Sequence, residues 1–400
     1  MRIAWGGFMN IVRSEAELSA DVPWVPILGV IATVSVFAIA QGLSYPLFTF
    51  LMQKQGMPPA LIGLSAAMTP LGLIASAPFV PWLVQKVGAT RIVVSCALAA
   101  GALFLLIGYL QNGFAWFVLR FLVGVVIDPL YVLSEVWMLS LAPPSRRGRL
   151  MGIYTAIIGA GFAAGPFSLM LVGTAGWAPF TIGITAFLTC AVCLSIVAPR
   201  LPSMFDDDGH TPLSGFVRHA PALLLAVVVS SAFEQSAFAL LPVYGASYAI
   251  PERVLAALLA TMVAGNVALQ IPLGLLAERF TARAVMIGCA VASLAGAALL
   301  PVLIETPAIW PMLFVLGAVS YGIYTMALIE LGNRFSGAML VTGNAAFGLM
   351  WGVGGIAGPP GAGSVMQFVG VQGLPVLLGA LCLVLIGFAG FRAWQRRNEA

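Results

Sequence analysis

Gly72, Lys86, Cys96, Gly124, Tyr131, Gly161, Gly165 and Pro166 each have a counterpart 193 positions later: Gly265, Arg279, Cys289, Gly317, Tyr324, Gly354, Gly358 and Pro359. One gapless offset running through a chain of 400 residues means two copies of one structural unit, which constrains the fold more than any local propensity. The unit is apolar. Hydrophobic residues make up 61% of the chain and charged residues 8%, where an ordinary soluble domain carries about 25% charged residues. Twelve apolar runs follow one another, the first over 24–52 and the last over 371–393. Each has roughly 20 residues or more, enough at about 1.5 Å per residue to cross about 30 Å of hydrocarbon. Only helices and closed barrels satisfy every backbone group in lipid, and these runs lack the period-two alternation of a barrel strand. The expected fold is all-α and integral to the membrane, with twelve transmembrane helices in two pseudo-symmetric six-helix halves.

The runs divide the chain into a tail over 1–22, a first half over 23–200, a linker over 201–218, a second half over 219–393 and a tail over 394–400. With both termini in the cytoplasm, fifteen of the 18 Lys and Arg fall on the cytoplasmic side, Lys54 and Arg253 fall outside, and Arg120 lies within a helix. The net charge of +4 is this bias and gives no argument for nucleic acid. The first run is too long for a signal sequence and is preceded by Glu15, Glu17 and Asp21, so it is expected to remain as a span. Cys96, Cys190, Cys193, Cys289 and Cys382 all sit in apolar runs, where cysteine acts as a small hydrophobe, and the CxxC spacing at 190–193 lacks a redox βαβ context. Asp206, Asp207, Asp208 and His210 read as a solvated linker rather than a metal site. No metal and no cofactor is expected. The chain has no HExxH, no GxSxG and only two His, so an enzyme is disfavoured.

An ionised side chain at the centre of a membrane helix costs about 2.5 to 3.5 kcal/mol, so several together imply a watered or protein-lined interior. On a helical wheel Gly124, Asp128, Tyr131 and Glu135 all fall within roughly 80° of Arg120, which predicts that this face of the fourth span lines a central cavity. Pro129 cannot donate to the carbonyl of Val125, so a kink is expected beside Asp128. The seventh span carries Ser230, Ser231, Glu234 and Gln235, with Glu234 about halfway along and Gln41 at the matching position of the first span. A carboxylate opposite a neutral amide suggests a proton site in one half and a fixed hydrogen-bonding group in the other. An intramembrane Arg120–Asp128 pair that fixes helix packing is the structural alternative. Glu135 is read as a cavity residue or an inner gate, and Glu330 as an anchor at a helix end. Gly161 with Gly165, and Gly354 with Gly358, have the small-xxx-small spacing of close helix contact.

Two parallel six-span halves joined by a central loop resemble the major facilitator superfamily. The stretch from Gly274 through Glu278 and Arg279 to Arg283 resembles that superfamily's loop motif, and Lys86, Gly88 and Arg91 resemble its first-half copy, in which Pro81 and Gln85 replace the first glycine and the acid. Arg120 with Gly124 resembles its membrane arginine motif, and Gly161, Gly165 and Pro166 resemble its fifth-span exporter motif, without the glycine pair that normally follows. The stretches 119–166 and 270–366 are most similar to the YcaD-like branch of bacterial carriers. The resemblance implies alternating access in a bacterial inner membrane, with Gly161, Gly165, Pro166, Gly354, Gly358 and Pro359 at a hinge between halves and the loop motifs as gates.

Asp128 and Glu234 are the expected proton carriers. The expected substrate-cavity residues are Gln41, Tyr45, Arg120, Tyr131, Glu135, Ser231, Gln235, Tyr321 and Tyr324, with Phe48, Phe233, Phe238 and Trp351 adding aromatic surface. Three carboxylates against one arginine suit a small neutral or cationic, partly apolar solute. The function expected is secondary active transport by a monomer, most simply proton-coupled export. A proton-coupled nutrient symporter and a non-transporting sensor on the same fold are the alternatives; flux direction under a pH gradient, or binding without flux, separates them.

Overall fold

The computed structural model describes residues 23–141, 147–201, 216, 219–335 and 337–399. The 1–22 tail, Arg146, Arg218, the three linker aspartates and His210 lie outside the described residues. Among the described residues, thirteen α-helices make twelve spans: α1 Trp24–Lys54, α2 Pro59–Ser76, α3 Val80–Val87, α4 Ala89–Leu110, α5 Gly113–Leu141, α6 Arg147–Val172, α7 Ala178–Val197, α8 Pro221–Ala246, α9 Glu252–Arg279, α10 Ala282–Leu303, α11 Ile309–Arg334, α12 Gly337–Val369 and α13 Gly373–Glu399. The second span counts twice because one turn of 3-10 helix, Ala77–Phe79, separates α2 from α3. Pro78 explains the break, since it has no N–H to donate and its ring crowds the preceding turn. Helix α5 instead continues through Pro129.

Ten of the spans are long and apolar enough to cross a membrane by length and composition, and α6 keeps the apolar stretch Ala156–Val172. In the first half, Phe48 packs on Phe104 and Trp116 with ring centroids 5.9 Å apart, and Phe104 packs on Phe187 at 5.4 Å. Within the first half α1 lies on α6 and α7, and α2 on α5; within the second, α8 lies on α12 and α9 on α11. Between halves, α2 packs on α12 and α6 on α9.

The glycines expected at the hinge between halves face elsewhere. A Cβ on Gly161 would press on the Ser35 carbonyl and Ala38, and one on Gly165 on Gly42 and Leu43, all in α1. Gly354 and Gly358 meet Val228, Ser231, Ala232 and Ser236 of α8 in the same way. These four glycines therefore seal contacts inside each half, because the small residues that accommodate them lie on the same half's first helix. The close approaches between halves are made at Gly63, against the Pro359 carbonyl, and at Gly363, against the Pro59 carbonyl. Pro359 is thus the one member of the expected hinge set that these contacts place at the boundary, and Pro166 lies within α6 beside Gly165.

Candidate functional site at the centre of the bundle

The polar stripe of α5 exists, but its upper part does not face open space. Arg120 is 2% exposed and donates from Nη1 to Ser65 Oγ at 3.2 Å. Its guanidinium lies 5.1 Å from the Phe48 ring centre and 5.9 Å from that of Tyr45. Gly124 packs on Gly72 and the Thr69 carbonyl. Asp128, 6% exposed, accepts a 3.1 Å hydrogen bond from Ser76. Arg120, Gly124 and Asp128 thus face α2, whose Ser65, Thr69, Gly72 and Ser76 recur at spacings of four, three and four. The stripe faces a neighbour inside its own half because that neighbour supplies hydroxyls where a cavity would supply water.

The Arg120–Asp128 ion pair does not form. No carboxylate lies within 4.0 Å of Arg120 among the described residues, and its Nε has no hydrogen-bond partner. The lower part of the stripe departs from α2. Tyr131 meets Phe37 of α1 edge to face at 4.7 Å. Glu135 is exposed.

Across the molecular centre, α8 presents Glu234 with its Oε2 buried and without a hydrogen-bond partner. Gln41, 3% exposed, has its Oε1 in the same condition. An unpartnered buried polar atom costs about 1 to 3 kcal/mol, so two on symmetry-related helices at matched depth call for an explanation. Beside them, Gln235 donates to Ser231 Oγ at 3.1 Å, Ser231 donates to the Trp351 carbonyl at 2.5 Å, and the Tyr45 hydroxyl reaches across the halves to Gln235 Oε1 at 3.5 Å. Tyr324 packs on Trp351 at 4.9 Å, and Tyr321 on both at 5.5 and 5.8 Å. The site therefore joins one carboxylate, two amides and a wall of rings. It suits a partly apolar solute that hydrogen-bonds.

The loop motifs are surface features. Gly88 has φ +96° and ψ +139°, a conformation that needs glycine, and breaks the chain between α3 and α4. Lys86 lies 5.1 Å over Trp82, and Arg91 is exposed. Glu278 and Arg279 are exposed at the end of α9, Arg279 lying 5.9 Å from the Phe280 ring, and Arg283 is in the first turn of α10, 31 positions before Phe314 on the next span. Gly274 lies in open space on α9. Among the described residues no three His, Cys, Asp or Glu gather as a metal site, and all five Cys are free thiols.

One cluster is not evident from local sequence. Lys54, at the end of α1, pairs with Glu252 at 2.9 Å, and Thr174, in the loop after α6, hydrogen-bonds both. With Thr49 donating to the Ala239 carbonyl at 2.9 Å and Tyr45 reaching Gln235, cross-half polar contacts gather toward the ends of α1 and α8 that carry Lys54 and Ala246. The contacts between α1 and the second half join partners 190 or more positions apart, and Thr174 lies 120 positions from Lys54 and 78 from Glu252, separations no periodicity reveals.

A family model described as Major Facilitator Superfamily matches residues 30–328 and 223–399. The uncharacterized MFS-type transporter YfkF of Bacillus subtilis is 26% identical over 351 residues, covering 84% of this chain and 87% of its own. An uncharacterized MFS-type transporter YcaD, from Escherichia fergusonii, is 22% identical over 371 residues, covering 90% and 94%. Among solved structures, the nucleoside transporter NupG has a TM-score of 0.74 at 14% identity, covering 92% of this chain and 98% of its own. A bacterial homologue of the human lysosomal transporter Spinster, inward-facing and unoccupied, has 0.70 at 15%, covering 92% and 96%. Those two likenesses establish the fold, and the family match establishes the lineage. The chain belongs to the major facilitator superfamily of membrane transporters, which are not enzymes, and has YcaD-type proteins among its relatives.

Proposed function

We propose that this transporter is a proton-coupled exporter of small neutral or cationic organic compounds, working as a monomer by alternating access in a bacterial inner membrane with both termini in the cytoplasm. The observation that carries the reading is the pair of orphaned atoms, Glu234 Oε2 and Gln41 Oε1, on symmetry-related helices at the centre of the bundle. A carboxylate with no cation within 4.0 Å among the described residues is neutralised most simply by a proton or by a cationic solute, and the two exclude one another. That competition is the elementary requirement of antiport. Asp128 is the second proton carrier: Ser76 has one hydroxyl hydrogen for three acceptors, the Gly72 and Leu73 carbonyls and Asp128, so a proton on Asp128 relieves a shortage of donors. Arg120 sits behind Tyr45 at the edge of the binding volume, Tyr131, Tyr321 and Tyr324 form its walls, and Glu135 stands at its exposed mouth. The gathering of cross-half contacts toward Lys54 supports a state closed at that end and, with both termini in the cytoplasm, open to the cytoplasm.

The test uses proteoliposomes with an imposed pH gradient and ethidium as the probe cation. Glu234→Gln is expected to remain folded and inserted while losing pH-driven ethidium movement. Undiminished proton-coupled flux in that variant removes Glu234 from the mechanism.

A further inference from the structure

A groove of about 460 Å³ opens on the lipid-facing side of the second half, where α9 meets α10. Leu273, Leu276 and Phe280 form one wall, and Ala284, Val285 and Gly288 the other, so its lining is apolar. Glycine in a membrane helix ordinarily lets a second helix come close. Gly288 does not: a Cβ placed there meets nothing within 4 Å, and the same is true of Gly274 nearby on α9. Gly288 leaves the groove empty of protein, in a surface otherwise built from large side chains such as Leu275, 60% exposed.

The chemistry changes at the loop end. Arg279 lies over Phe280, a lining ring that is itself 61% exposed, and Arg283 precedes the lining residue Ala284. Glu278 is the one acid between positions 274 and 288, so the mouth is net positive. The first half is built differently at the equivalent positions, where Arg91 and Ser95 stand for Ala284 and Gly288. An apolar slot with a basic rim at one end has the polarity of a phospholipid read from tail to headgroup, and basic pockets between membrane helices select anionic headgroups. We propose that this groove is a binding site for one anionic phospholipid, with an acyl chain along Gly288 and the headgroup phosphate held by Arg279 and Arg283.

Native mass spectrometry of the full-length protein in detergent tests this, with dioleoyl-phosphatidylglycerol and dioleoyl-phosphatidylcholine in competition so that only the headgroup differs. Wild type is expected to retain one phosphatidylglycerol in preference, and Arg279→Gln and Arg283→Gln each to reduce that preference about five-fold, the equivalent of about 1 kcal/mol per basic residue at a membrane surface. Gly288→Phe is expected to lose that lipid whichever headgroup it carries. Should Gly288→Phe give no folded protein, Ala284→Leu fills the same slot from the same helix. Equal retention of the two lipids by wild type overturns the proposal, as does unchanged phosphatidylglycerol retention in the filled variants. Displacement by glycerol 3-phosphate alone would show a headgroup site without a chain groove, and a dimer that disappears with Gly288→Phe would show a protein interface; either result also overturns it.

Discussion

The two halves carry the same backbone crossings and different polar contents. In the first, a Cβ on Gly72 would strike the Phe121 carbonyl, and one on Gly124 the Thr69 carbonyl. In the second, Gly265 faces the Phe314 carbonyl and Gly317 the Met262 carbonyl, and all four positions shift by the same 193. The repeat is therefore a repeat of contacts and not of letters alone. Yet the seam that holds Asp128 and Ser76 in the first half holds Tyr321 and Leu269 in the second, which instead joins α9 to α11 through Thr325 donating to Gln270 at 2.8 Å. Arg120 falls opposite Leu313, and Glu234 opposite Gln41. Close packing leaves no latitude at the glycines, so they stay equal, while the polar groups between them are free to differ and have to if the halves are to do different work.

The hardest test of that equivalence is to add one methyl group at each crossing. Gly124→Ala and Gly317→Ala each drive a Cβ into a backbone carbonyl, which cannot rotate away as a side chain can. Overpacking of this kind costs about 1 to 3 kcal/mol, and both variants should show clearly lowered melting temperatures in detergent, by similar amounts. A large loss at one position with none at the other would show that one half tolerates movement along its seam and would break the comparison.

The comparison also explains what could be read in advance. Span number, helix class and the pairing of Gly161 with Gly354 followed from the offset and from apolar length, because those depend on solvent and backbone alone. The stripe from Arg120 to Glu135 was legible as a stripe, but the neighbour it faces was not, since a helical wheel gives direction only relative to its own axis. A signal was present: Ser65, Thr69, Gly72 and Ser76 form a complementary stripe of small and hydroxyl-bearing residues on α2. Matching one stripe to the other would have turned Arg120 and Asp128 toward α2. Gly161 and Gly165 fail in the same way, their partners Ser35, Ala38 and Gly42 being a small-residue stripe on α1. The latch of Lys54, Thr174 and Glu252 depends on three chain segments meeting, which no local pattern encodes.

A smaller effect separates the halves at their first inner loops, where one position has two solutions. Gly88 turns the chain at positive φ, whereas Thr281, 193 positions later, is extended at φ −162° and caps α10 by accepting from the Ala284 N–H at 3.1 Å. Gly88→Thr forces a side chain into a region nearly restricted to glycine and should cost about 1 to 3 kcal/mol. Thr281→Ala loses only the cap, about 1 kcal/mol, and Thr281→Gly still less. Melting temperatures of the three variants check the ranking; equal losses would mean that both loops are set by their surroundings and not by the residue.

The smallest expected effect concerns a feature with no copy at all. Lys54 falls opposite Ser247, Glu252 opposite Pro59 and Thr174 opposite Gln367, so the Lys54 latch breaks the repeat at all three positions. Its acid is shared, for Lys54 Nζ and Thr174 Oγ1 both reach Glu252 Oε2, and Glu252→Gln removes the charge while keeping an acceptor. The side chains of the pair are 48% and 39% exposed, and water screening limits such a pair to at most about 1 kcal/mol. Separation of the halves at the Lys54 end should therefore rise by no more than about five-fold, read as a distance change between spin labels on the ends of α2 and α12 nearest Lys54, and the rise should shrink in high salt because the lost interaction is a screened one. A salt-independent shift of the same size would assign the contact between halves at the Lys54 end to Gly63 and Gly363 in place of the ion pair, and would leave the asymmetry between the halves with no part in holding that end together.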